Sequence, residues 1–126
     1  MITVDEVRAV VAELPRAYEV LVHDRVKFRV GQIVFVAFSR DETVMGFAFP
    51  KSDREMLVAS DPEKFKFPTA NDMRFHWVDA RLSALDVVEM RELVVDAWRM
   101  VVPKFVAAAY DAEHLEKMRR DAASPP

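Results

Sequence analysis

The chain contains no cysteine and only two glycines among its 126 residues. The absence of cysteine excludes a disulfide scaffold, a thiol nucleophile and a cysteine-ligated zinc site. Phosphate-binding loops of the P-loop type need clustered glycines, whereas Gly31 and Gly46 lie far apart, so P-loop nucleotide hydrolysis is also excluded. No serine lies in a nucleophile-elbow motif. We therefore do not expect an enzyme.

Metal ligands are also scarce. The three histidines are His23, His76 and His114, and their spacing matches no metal-binding motif. The first predicted helix and the residues after it carry four acids: Asp5, Glu6, Glu13 and Glu19. Such a ridge can bind hard cations weakly, but it is more often a solvated helix face. We expect neither a metal nor a cofactor.

No apolar run exceeds six residues, which is far short of a membrane span. The N-terminal residues MITVDEVRAV lack the basic region and long apolar run of a targeting signal. With 18 basic and 21 acidic side chains, the net charge of −3 argues against a strongly basic nucleic-acid-binding module. We expect a cytoplasmic protein without membrane contacts, with a monomer slightly favoured.

The patterning predicts one α+β domain. A hydrophobic content of 52% in a chain of this length is enough for a single core. Capping boxes predict helices after Thr3 and Ser52, and Asp86 with Glu89 predicts a third, longer helix. Strands are predicted for 27–30, 33–38, 43–49 and 75–82, joined at first by tight turns. The order of these elements predicts a two-layer sandwich, with an antiparallel sheet and helices on one face.

Strand alternation predicts which side chains lie on the face without helices, called the open face below. In the last strand, Val78 and Leu82 would face the core, which leaves Trp77 and Arg81 on the open face. In the first hairpin, Lys27 and Arg29 would also be open. A two-residue turn at Gly31 then places four apolar side chains beside them: Val34, Val36, Met45 and Phe47. A bulge at Gly31 would invert part of this assignment.

An aromatic side chain among cations is typical of surfaces on which single-stranded nucleic acid or a protein partner stacks. Residues 23–51 hold five basic and three acidic side chains, a local net charge of +2. The candidate nucleic-acid-binding residues are Lys27, Arg29, Arg40, Lys51, Arg54, Trp77 and Arg81. The alternative is that these aromatics belong to the core.

Three segments resemble the MmcQ/YjbR-like family. They are the run from Lys27 to Phe35, the Phe75-His76-Trp77-Val78 strand, and the segment from Ala97-Trp98-Arg99 through Pro103-Lys104 to Tyr110. The resemblance extends from about Val7 to Tyr110. It implies a single domain over residues 1–110, followed by a charged, frayed tail over 111–126.

The family resemblance implies a small bacterial protein with a frataxin-like (CyaY-like) α/β sandwich. The family carries a DNA-binding label, which is attributed to a double-wing arrangement of its hairpins. The resemblance implies no catalytic residues. Gln32 replaces a lysine that often follows the turn glycine in this family. The leading hypothesis is a non-enzymatic protein with weak DNA binding. The alternative is a protein- or small-ligand-interaction module that uses the aromatic sheet face.

Overall fold

The computed structural model describes residues 1–123. Within them, four α-helices and six β-strands follow in the order α1 (Val4–Val11), β1 (Ala17–Val22), β2 (Arg25–Val30), β3 (Ile33–Phe38), β4 (Val44–Ala48), α2 (Lys51–Ser60), β5 (Phe65–Lys66), β6 (Trp77–Arg81), α3 (Val87–Arg99) and α4 (Lys104–Ala123). Short 3-10 helices cover Ala70–Asp72 and Leu82–Ala84. No helix in this part of the chain is both long enough and apolar enough to cross a membrane.

The strands form one open sheet in the order β1-β2-β3-β4-β6-β5, and every neighbouring pair is antiparallel. Helices α1 and α3 pack against each other, and α3 lies across β3 and β4. The core between these layers is almost entirely apolar. The predicted two-layer α+β sandwich is therefore confirmed.

Helix α1 begins where the capping box predicts. The Thr3 hydroxyl accepts a hydrogen bond from the Glu6 N–H, and the Glu6 carboxylate accepts one from the Thr3 N–H. These two bonds satisfy backbone donors that have no partner within the helix. The cap directs Val4, Val7 and Val11 into the core.

The β2–β3 hairpin also matches its prediction. Val30 pairs with Ile33 across the two-residue turn. Gly31 has a φ of 57°, the left-handed conformation that glycine adopts without strain. Because β2 alternates regularly, Phe28 and Val30 face the helices while Lys27 and Arg29 lie on the open face, as predicted.

The predicted open-face positions of Val36, Met45 and Phe47 are wrong. Arg29 pairs with Val34 but Phe28 pairs with Val36, so Phe35 is an extra residue on β3, a β-bulge. The bulge reverses the alternation for the rest of β3 and for β4. Val36, Met45 and Phe47 consequently lie in the core, and only Val34 stays on the open face.

Two further boundaries differ from the predictions. Strand β4 begins at Val44 rather than at the predicted Thr43, and Phe38 pairs with Met45. Strand β6 begins at Trp77, so Phe75 and His76 precede it and both are exposed. Val78, Ala80 and Leu82 are fully buried, as predicted.

Helix α2 does not start with the predicted capping box at Ser52. Its N-cap is Pro50, which has no side-chain capping bond. Instead, the imidazole Nδ1 of His76 accepts a hydrogen bond from the Lys51 N–H at 2.9 Å. The first turn of α2 is therefore capped by a residue 25 positions further along the chain.

Helix α3 begins at the predicted cap, because the Asp86 carboxylate accepts the Glu89 N–H at 2.7 Å. Met90, Val94 and Ala97 are fully buried, whereas Val87 in the first turn is half exposed. Pro103 separates α3 from α4. Helix α4 continues to Ala123 and takes in most of the predicted frayed tail. Ser124 to Pro126 lie outside the described residues.

Trp98 is the largest fully buried side chain, and its indole N–H donates to the Pro15 carbonyl at 2.9 Å. We expect Trp98→Ala to lower the free energy of unfolding by about 3–5 kcal/mol, because it leaves a large cavity. Trp98→Phe, which keeps most of the ring, should cost less. Urea unfolding of both variants tests this, and equal losses would contradict it.

Candidate functional site

The open face of the sheet is basic. Because residues paired across an antiparallel ladder share a face, the registers determine which strand residues lie opposite the helix layer. The charged side chains there are Arg25, Lys27 and Arg29 on β2, Lys66 on β5, Arg81 on β6, and a single acid, Asp79. The strand positions facing the helices carry no basic side chain.

A groove crosses this face because its central strands carry small side chains. Ala37 on β3 pairs with Gly46 on β4, and Ala48 lies two residues further along β4. The side chain of Lys27 on β2 rises on one side, and the indole of Trp77 on β6 lies on the other. The groove has a volume of about 720 Å³, and Arg25, His76 and Asp72 also line it. The face is therefore concave rather than flat.

The indole of Trp77 lies on the backbone of Gly46. A Cβ atom added at Gly46 would be only 2.5 Å from the indole Nε1 and 2.7 Å from Cζ2, which is closer than real Cβ contacts. Only glycine at this position lets the ring lie against the sheet. Trp77 is partly buried, so the ring remains accessible from the groove.

Asp79 lies beside this ring, opposite Gly46. Burial raises the pKa of the Asp79 carboxyl, and a hydrogen bond from the Trp77 side chain offsets part of that shift. Arg25 and Lys66 also favour the charged form, whereas Asp72 opposes it. The one acid on the open-face strands is thus partly shielded from solvent.

His76 and Lys51 are held together at one end of the groove. Besides the bond from the Lys51 N–H to His76 Nδ1, the Lys51 ammonium donates to the Arg74 carbonyl at 2.7 Å. With Nδ1 accepting, the neutral imidazole carries its proton on Nε2. His76 therefore presents a hydrogen-bond donor at the groove.

Arg54, a predicted binding residue, is 7% exposed and turned inward. Its guanidinium donates to the carbonyls of Met73, Phe75 and Trp77 at 2.9–3.2 Å. The fixed fork of an arginine suits several acceptors along one strand edge. Arg54 thus links α2 to the segment leading into β6. Its charge is therefore not part of the exposed cationic surface.

The other predicted residues separate into two groups. Lys27 and Trp77 line the groove, and Arg29 and Arg81 share its face. Arg40 lies instead at the β3–β4 turn, where its Nε donates to the His23 carbonyl at 3.3 Å. The Nε atom of Arg29 is buried and has no hydrogen-bond partner among residues 1–123.

Sequence reasoning missed two cations of the open face. Arg25 alternates with Lys27 and Arg29, so starting β2 two residues earlier would have identified it. Its Nε donates to the Phe38 carbonyl at 2.9 Å. Lys66 belongs to a two-residue strand in a segment without periodicity. No local signal pointed to Lys66.

The acidic ridge near α1 is occupied by ion pairs. Arg8 binds Asp5 and Glu19, which holds the pKa of the Glu19 carboxyl below its usual range. Arg91 binds Glu13 at 2.7 Å, and Glu6 belongs to the α1 cap. Over the described residues, no three acidic or histidine side chains are grouped so that they could hold a metal ion.

Asp79 makes stability depend on pH. Because its folded-state pKa is raised, the carboxyl favours folding when protonated, and this contribution is lost as the pH rises through the folded-state value. We expect Asp79→Asn, which retains an acceptor for Trp77, to flatten the fall in stability between mildly acidic and neutral pH. Urea unfolding across this range measures the effect. Parallel pH profiles of variant and parent would refute it.

Comparisons with known proteins agree with this geometry. The sequence profile of the YjbR family matches residues 12–100. The crystal structure of Deinococcus radiodurans protein DR2400, which has a DUF419 domain, superposes with a TM-score of 0.69 at 23% identity, covering 88% of this chain and 86% of that one. This similarity shows the shared fold. No curated protein matches the chain. Since the profile match spans most of its length, the chain belongs to the YjbR family.

Proposed function

We propose that this protein is a non-enzymatic binding protein whose open sheet face takes single-stranded nucleic acid, with DNA as the nominal ligand. The observation that carries the proposal is the arrangement around Trp77. The accessible ring lies on a face whose strands bear five cations and one partly shielded acid. Aromatic platforms with cations that track the backbone are how proteins bind single strands without sequence preference.

A single strand suits the groove better than a duplex. Trp77 lies low on the sheet, against the backbone of Gly46, with Lys27 rising on the opposite side. An unpaired base can enter between them and stack on the indole. Bases in a duplex are already stacked and paired, so they cannot reach the ring without first being flipped out.

Binding should be weak because few phosphates are contacted. Of the six cations predicted from the sequence, Arg54 and Lys51 donate to backbone carbonyls and Arg40 lies away from the groove. Lys27, Arg29 and Arg81 remain, joined by Arg25 and Lys66. Each phosphate contact to a single strand contributes a slope of about −0.7 in log K against log salt.

Tryptophan fluorescence tests the stacking directly. Trp98 is fully buried and Trp77 is partly exposed, so a stacked base should quench only Trp77. We expect an oligothymidylate to quench the emission at about 50 mM salt, where phosphate contacts are strongest. Trp77→Ala should lose the quenching and bind tenfold or more weakly, since one stacked base contributes about 1–3 kcal/mol.

Trp77→Phe is the matched control, because it retains a ring and should retain part of the affinity. Melting curves of both variants separate a binding defect from a folding defect. If the parent binds no oligonucleotide at about 50 mM salt, the proposed function is wrong.

Salt dependence identifies the cations involved. We expect Lys27→Ala and Arg25→Ala each to reduce the salt slope by about 0.7, one phosphate contact. Arg40→Ala removes an equal charge at the β3–β4 turn and should leave the slope nearly unchanged. Equal effects of all three substitutions would show that the attraction is diffuse rather than located in the groove.

A protein or small-ligand partner is the second candidate, and a specific observation favours it. Three large apolar side chains that line the groove are well exposed: Ile33 at 55%, Phe75 at 50% and Met100 at 42%. Clustered exposed apolar groups are typical of interaction sites. Binding through them would persist at salt concentrations that abolish phosphate contacts, so the same titration distinguishes the two functions.

A further inference from the structure

The groove is half open to solvent and large enough to hold a small molecule. Its volume of about 720 Å³ lies within the range of roughly 300–1,000 Å³ typical of small-ligand pockets. Small residues on β3 and β4 form its floor, Lys27 on β2 borders one side, and residues outside the strands, Phe75, Met100 and Val101, also line it. A cavity of this kind suits one compact ligand.

The two walls differ in chemistry. Lys27 and Arg25 make the β2 wall cationic, and neither has an ion-pair partner among residues 1–123. The opposite side has the flat indole of Trp77, which lies low against Gly46. A ligand that satisfies both walls needs an anionic group at one end and a flat ring at the other.

The aromatic wall also has polar groups that restrict the kind of ring. His76 presents an Nε2–H donor because its Nδ1 is occupied by the Lys51 N–H. Asp72 also lines the groove, and its carboxylate accepts from the Thr69 hydroxyl at 3.3 Å, which leaves acceptor capacity for a ligand. A plain hydrocarbon ring would use neither group. A nucleobase, with both acceptors and donors on its edge, can use both.

We propose that the groove is a subsite for one nucleoside monophosphate, with the base on Trp77 and the phosphate directed toward Lys27 and Arg25. The ligand is either a free nucleotide or one unit of a strand. The proposal rests on the proposed function, because it specifies one nucleotide-binding site on the same face. It adds that a single nucleotide binds without the rest of the polymer.

The subsite is tested by titration with thymidine monophosphate, with thymidine and with inorganic phosphate. Each titration is followed by Trp77 fluorescence and by calorimetry. We expect the monophosphate to bind at least tenfold more tightly than thymidine or phosphate alone, and to compete with the oligothymidylate. Thymidine binding as tightly as its monophosphate would overturn the proposal, because the cationic wall would then not recognise the phosphate.

Larger side chains on the floor of the groove test whether the ligand occupies it. Ala37→Val and Ala48→Val add methyl groups at the groove and leave Lys27, Arg25 and Trp77 in place, so each should weaken monophosphate binding at least tenfold. Val20→Ile is the matched control, since Val20 shares the open face on β1 but does not line the groove. Melting curves identify any variant that fails to fold, and the other floor variant then provides the test. Unchanged affinity in a folded floor variant would refute the subsite.

Comparing the oligothymidylate with the monophosphate distinguishes the proposed function from the proposed subsite. If the oligothymidylate binds but the monophosphate neither binds nor competes, the subsite is refuted and the proposed function stands. If the monophosphate binds and the oligothymidylate does not, the subsite stands with a free nucleotide as its ligand, and the proposed function fails. If neither binds, both fail.

Discussion

The contact between the Trp77 indole and the backbone of Gly46 determines the shape of the open face. Any side chain at Gly46 would lift the ring, because even a Cβ would lie 2.5 Å from Nε1. With the ring lowered, Ala37 and Ala48 still line the groove, although each is only 7% exposed, and the carboxyl of Asp79 is partly buried. The depth of the groove beside Trp77 therefore depends on one absent side chain.

How much of this face could be predicted depended on whether each strand alternates. Strand β2 reads Arg-Val-Lys-Phe-Arg-Val, and this strict alternation placed Lys27 and Arg29 correctly. Strand β3 reads Ile-Val-Phe-Val-Ala-Phe and is apolar throughout, so its sequence is compatible with either facing. The bulge at Phe35 is invisible in such a run, and it reversed the side assigned to Met45 and Phe47. The predicted fold was still correct, because β3 is apolar throughout and can be buried with either set of its side chains facing the helices.

The start of a helix was predictable where its capping contact is local in sequence, and it was not predictable where that contact is distant. The caps at Thr3 and Asp86 were predictable because each cap and its partner lie three residues apart. The start of α2 was not, since its first N–H is satisfied by His76, far along the chain. Arg54 was misread for the same reason. A basic residue on a short helix looks solvent-exposed until the carbonyls that accept from it, 19 to 23 residues further on, are brought to it by the fold.

The net charge of −3 and the basic open face are compatible because the charges are segregated. Ion pairs outside the open face involve many of the acids: Glu19 with Arg8, Glu13 with Arg91, and Glu89 with Lys64. At about 0.1 M salt the Debye length is about 10 Å, so a phosphate in the groove interacts mainly with the cations around it. At lower salt the more distant acids also act on the ligand, and their repulsion opposes the gain from the cations. The overall charge of the chain therefore says little about short-range attraction in the groove, and it limits attraction at long range.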